Sequence, residues 1–80
     1  MDRHELRAAL SAAGVPDDYF RIEAVHEPAP TPPDFLYLRK CGQEEGGAWE
    51  TGAYERGVYE TVTRHASEAE ACAQLLRLLT

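Results

Sequence analysis

The side chains with the widest chemical scope are three histidines, His4, His26 and His65, and two cysteines, Cys41 and Cys72. Together they hold the atoms a zinc site needs, but no two are spaced as a ligand pair on one helix or in one loop. Cys72 falls on the apolar side of a helical pattern and reads as a small buried hydrophobe. Cys41 has a cation beside it in Lys40, which favours a thiolate, but no general base is placed to activate it. A Cys41–Cys72 disulfide is open on sequence grounds, and a reducing compartment argues against it. The acidic pairs Asp17-Asp18 and Glu44-Glu45 have the atoms for acid–base work. Both lie in turns beside Pro or Gly, where carboxylates are solvated. Gly42, Gly46 and Gly47 do not open a helix, so no phosphate cradle is present. The expectation is a chain with no catalytic residue, no metal and no cofactor.

The aromatic residues carry more information. Tyr37, Trp49, Tyr54 and Tyr59 fall in consecutive extended segments, interleaved with Glu50, Glu55 and Glu60. A sheet with helices on one face cannot bury them all. Aromatic rings among carboxylates suit a protein-binding surface; the competing reading is ordinary cross-strand packing. The candidate partner-binding residues are Trp49, Glu50, Tyr54, Tyr59 and Glu60. A second candidate is the P-x-x-P from Pro30 to Pro33, which has the form that docks into aromatic grooves.

The elements that must position these residues follow from spacing. Asp2 and Glu5 make a capping box, and Leu6, Ala9, Leu10 and Ala13 recur at helical intervals, predicting a helix over 3–13. Gly14 and Pro16 end it. Phe20 and Ile22 alternate with Arg21 and Glu23, predicting a strand from Tyr19 to Val25. Pro28, Pro30, Pro32 and Pro33 exclude helix and sheet interior and make a stiff extended loop. Strands are predicted at Phe35–Lys40, Trp49–Tyr54 and Val58–Arg64, with a turn over Gln43–Gly47. A three-residue hairpin loop, Glu55-Arg56-Gly57, would put Trp49, Thr51, Ala53, Tyr59 and Thr61 on one face. A two-residue loop at Arg56-Gly57 would pair the faces differently. Ser67 and Glu70 make a second capping box. Cys72, Leu75, Leu76 and Leu79 then set a helix over 68–79, with acidic residues in its first turn and Arg77 in its last.

The expected architecture is a single α+β domain over residues 1–80. It is two-layered: helix, four-stranded antiparallel meander, helix, with both helices on one sheet face. Leu10, Phe20, Ile22, Leu36, Leu38, Cys72, Leu75, Leu76 and Leu79 are its expected core. The chain has 80 residues, 44 % of them hydrophobic and 28 % charged, and a net charge of −6. The composition is that of a globular domain. The acidity argues against nucleic acid and anionic membranes as partners. No apolar run approaches the ~20 residues of a membrane span, and the polar Met1-Asp2-Arg3-His4-Glu5 start lacks a signal-peptide core. A cytoplasmic location is therefore expected.

The stretch Trp49-Glu50-Thr51-Gly52-Ala53-Tyr54-Glu55-Arg56-Gly57, followed by Ser67-Glu68-Ala69-Glu70-Ala71-Cys72, resembles a group of small actinobacterial proteins encoded near polymorphic-toxin genes. They share a Trp-bearing strand, a Glu-Arg-Gly hairpin and a [Ser/Thr]-Glu-x-Glu-Ala-Cys helix start. The likeness covers residues 49–79, supported by the first helix and Gly14-Val15-Pro16. It implies an immunity-like or accessory role, with no catalytic residue to carry over. Gly52 and Ala53 depart from it, standing where larger strand residues are expected, and the Pro28–Pro33 loop is longer. The element order also resembles the double-stranded-RNA-binding fold, but the acidic start of the second helix would repel phosphate. The expected function is thus a non-enzymatic protein-binding module, of immunity type, that sequesters a basic toxin. The alternative is a structural or regulatory domain acting through the proline-rich loop.

Overall fold

The computed structural model describes residues 1–41 and 48–80, the side chains of residues 41 and 61 excepted. The expected turn over residues 43–47, with its Glu44-Glu45 pair and its glycines, lies outside the described residues, as does the side chain of Cys41. The order is α1 (Arg3–Ala12), a short 3-10 turn (Asp17–Tyr19), β1 (Phe20–Ile22), β2 (Asp34–Cys41), β3 (Ala48–Glu55), β4 (Val58–His65) and α2 (Glu68–Leu79). The fold is α+β. No helix among the described residues is long and apolar enough to cross a membrane.

Both helices start as their caps dictate. The Asp2 carboxylate accepts from the Glu5 backbone N–H, and Glu5 accepts in return from that of Asp2. Gly14 takes φ +80 at the end of α1. The Val15 N–H then donates to the Leu10 carbonyl and the Gly14 N–H to that of Ser11. In α2 the Ser67 hydroxyl accepts from the Glu70 N–H, but the reciprocal half of the expected box is replaced. Ser67 Oγ donates to the Glu70 carboxylate instead.

The sheet order is β1-β2-β3-β4. β2, β3 and β4 form the expected antiparallel meander, whereas β1 pairs with β2 in parallel, Phe20 opposite Leu36 and Ile22 opposite Leu38. The sheet is therefore mixed, and the reason is local. The predicted strand to Val25 stops at Ile22, whose N–H and C=O turn to His26. Ala24 takes φ +64 in that turn. The Glu27 carboxylate closes it, accepting from the Ala24 N–H at 2.8 Å and from Arg21. Residues 23–33 then carry the chain back to the end of the sheet where β1 began, so β2 runs the same way.

The hairpin between β3 and β4 settles the other open register. Its loop is Arg56-Gly57, with φ +48 and +88, as a two-residue type I′ turn requires. Tyr54 faces Tyr59 and Ala53 faces Glu60. The register expected from a three-residue loop, with Tyr59 on the same face as Trp49, is corrected by one residue. A β-bulge between Thr51 and Ala53 sets Gly52 against residues 61 and 62 of β4.

The core unites Leu6 and Leu10 of α1, Phe20, Ile22, Leu38 and Trp49 of the sheet, and Ala71, Cys72 and Leu75 of α2. Of the expected core, Leu36, Leu76 and Leu79 are only partly buried against it. Arg3 ties the helix starts together, its backbone N–H and Nε both donating to Glu68, while its guanidinium donates to the Glu23 carbonyl.

Candidate functional site

Alternation along β2 sends Leu36 and Leu38 one way and Phe35, Tyr37 and Arg39 the other. The second set meets Glu50, Gly52 and Tyr54 of β3 and Tyr59 of β4. Four rings form a continuous ladder. Phe35 stacks on Tyr54 with centroids 4.8 Å apart, Tyr54 meets Tyr59 edge-on at 5.0 Å, and Tyr59 meets Tyr37 edge-on at 5.1 Å. The Arg39 guanidinium lies 4.5 Å from the Tyr59 ring centroid and 5.3 Å from that of Tyr37.

A buried polar group pins the ladder. Glu50 is 3 % exposed. Its Oε2 accepts from the Tyr37 hydroxyl at 2.6 Å and from Arg39 Nε at 2.9 Å. Burial, then this hydrogen bond and the carboxylate's charge, push the Tyr37 hydroxyl pKa well above the usual phenol range. Tyr37 therefore stays a neutral donor, and the carboxylate keeps two charge-assisted partners. Gly52 makes this possible. It lies directly opposite Tyr37, and a Cβ there would come within 2.9 Å of the Tyr37 hydroxyl oxygen and 3.0 Å of the Glu60 carbonyl oxygen. The small residue that departs from the expected strand pattern is the seat of the Tyr37 ring.

The five candidate residues do not form one patch. Tyr54 and Tyr59 come together, Tyr54 half-buried and Tyr59 44 % exposed. Glu50 lies beneath them as the buried anchor and is not the exposed carboxylate expected among aromatic rings. Trp49 belongs to the core at 9 % exposure, with Arg3 and Lys40 near its ring. Glu60 is exposed, and its partner Ala53 alternates to the same side as Trp49. Phe35, Tyr37 and Arg39 complete the site and were not among the candidates. The signal for them was the alternation of β2, which separates them from Leu36 and Leu38.

The other chemical side chains stay apart. His26 stacks on Phe20 and bonds the Asp17 carbonyl, His65 bonds the Thr51 hydroxyl at 2.9 Å, and His4 is exposed on α1. Cys72 is a free, buried thiol. Burial first, then the charge of Glu68, pushes its pKa up to about 11. Among the described residues no three His, Cys, Asp or Glu side chains converge as metal ligands would. Asp17 and Asp18 are exposed in the 3-10 turn, as solvated turn charges. Comparison with protein-family models, curated proteins and solved structures returns no match.

Proposed function

We propose that this chain is a non-enzymatic protein-binding module of immunity type. In this reading both helices cover one sheet face, and the opposite face, where the exposed Tyr59 and half-buried Tyr54 are backed by the buried Phe35 and Tyr37, is the docking surface. The observation that carries it is the aromatic ladder held over the buried Glu50. Aromatic rings fixed before binding lose little entropy on contact and make strong interface anchors. Tyr59 is the exposed rung of the ladder, between Tyr54 and Tyr37, with the Arg39 guanidinium over its ring.

The partner is a basic protein, a toxin whose cationic cleft this domain covers, because a net charge of −6 steers cations toward it. The setting is the cytoplasm. Affinity capture from the native host with the full chain, followed by the same capture with Tyr59→Ala, tests the proposal. A basic protein retained by the parent and lost by a Tyr59→Ala variant of unchanged melting temperature is the expected result. Recovery of no protein, or of an acidic one, overturns it.

One observation favours a second reading, in which the proline-rich loop is the contact. Pro30, Thr31 and Pro33 are exposed, and the loop walls a cleft with Asp18 and Tyr19. Retention of the partner by Tyr59→Ala and its loss on changing Pro30 and Pro33 to Ala would favour it.

A further inference from the structure

On the side of the sheet that carries Leu36 and Leu38, the surface is uncovered where α2 ends. A cleft of about 450 Å³ opens there. Leu36 and Ala53, opposite one another on β2 and β3, form its floor, with Tyr19 and Leu79 as walls. Its charged lining consists of two carboxylates, Asp34 and Glu55. These two are direct partners across the antiparallel pair, both exposed, and neither makes an ion pair among the described residues. Like charges set directly opposite on one face destabilise a sheet. Glu60 stands opposite Ala53, next along the same side. The neighbouring cleft under the proline loop shares Tyr19 and Asp34 and adds only Asp18 to the charged lining.

An apolar floor with an unneutralised carboxylate pair at its mouth fits one kind of side chain. We propose that this cleft receives an arginine from the basic protein partner, an inference that rests on the protein-binding reading above and names its second contact. The methylene stem would lie on Leu36 and Ala53 while the head stays at the rim, as long cationic side chains do on apolar surface. The guanidinium has the donors to serve both carboxylates at once. It is more weakly hydrated than an ammonium and stacks on aromatic rings such as Tyr19. Its arrival removes the repulsion between Asp34 and Glu55, so part of the binding free energy is strain relieved in the domain. A bare divalent cation gains nothing from the apolar floor and finds no third ligand among the described residues.

The test is a titration of the ¹⁵N-labelled full chain with the peptide acetyl-Gly-Leu-Arg-Leu-Gly-amide. A norleucine-for-arginine peptide and calcium chloride are the controls. The arginine peptide should shift the amides of residues 34–36, 53–55 and 79, with a Kd of about 1 mM or tighter, and the norleucine peptide should bind about tenfold more weakly. The double variant Asp34→Asn, Glu55→Gln should lose about tenfold in peptide affinity yet melt above the parent, because the opposed charges are gone. Equal binding of the norleucine peptide, shifts confined to the Tyr37–Tyr59 face, saturation by calcium, or undiminished binding by the double variant would each overturn the proposal. Capture of the native partner equally by parent and double variant overturns the cleft and leaves the protein-binding reading intact. Arginine-specific peptide binding without any captured partner supports the cleft and removes the immunity reading.

Discussion

Tyr37 and Gly52 act as one unit, and that makes their contribution measurable. The Tyr37 hydroxyl donates to a carboxylate that is almost wholly buried. Tyr37→Phe should lower stability by about 1.5–3 kcal/mol, the range for a hydrogen bond to a charged group, read as a fall in urea midpoint at constant slope. Gly52→Ala should cost about 1–3 kcal/mol by overpacking. The hydroxyl oxygen is one of the atoms its Cβ would strike, so Gly52→Ala should cost less once Tyr37 is Phe. Strict additivity in that cycle would show that the two residues do not press on one another. Cys72 gives a separate residue-scale prediction. Its folded pKa of about 11 stands above the ordinary 9.0, so its contribution to stability is fully present below about pH 9 and is lost as pH rises toward 11. Cys72→Ala should flatten that alkaline decline; an unchanged slope would assign the decline to other groups. Little of this was legible in the sequence. Glu50 read as a surface charge because its burial depends on which strands flank it, and Gly52 read as a misfit because its use is visible only opposite Tyr37.

Legibility at the level of elements follows how local the determinants are. α2 has the predicted bounds because a Ser cap, acidic first turn and apolar spacing all lie within the segment. The residues it buries are only partly those expected. Leu75 is fully buried, while Leu76 and Leu79 lie at the margin. Leu75→Ala should therefore cost about 2–5 kcal/mol and Leu76→Ala about 1–2 kcal/mol, measured by chemical denaturation. An equal or reversed order would mean that α2 is rotated about its axis from the packing described. The β3–β4 register was not fixed by its own residues, since Glu55-Arg56-Gly57 satisfies a three-residue loop as well as Arg56-Gly57 satisfies a two-residue one. The choice falls to packing across the strands, where the two-residue turn brings Tyr54 against Tyr59. β1 failed for a similar reason. Phe20 to Glu23 alternates as a strand does, yet Glu27 captures the Ala24 N–H and turns the chain back after Ile22. A carboxylate reaching back from beyond the segment outweighs a period-two pattern of a few residues.

At the scale of the whole molecule, charge and aromatic contact belong to different places and should act on different rate constants. The net charge of −6 belongs to the whole chain, whereas the aromatic ladder is confined to β2, β3 and the start of β4. Long-range attraction acts during approach, so charge reversal at the exposed Glu60 should slow association with a basic partner. The effect should fade as salt is raised, because exposed charges are screened beyond about 8 Å at physiological ionic strength. Glu50 cannot serve in this experiment. Its reversal would set a cation beside Arg39 in a buried site and unfold the domain rather than alter the encounter. Tyr59→Ala should do the opposite of Glu60→Lys and raise the dissociation rate by about tenfold or more, as loss of a desolvated anchor does. Its melting temperature separates this from damage to the fold, since Tyr59 is 44 % exposed and its removal leaves the Tyr37–Glu50 bond in place. Kinetics by surface plasmon resonance at two salt concentrations would read both effects together. Tyr59→Ala acting only on association would mean that the ladder is not where the partner settles.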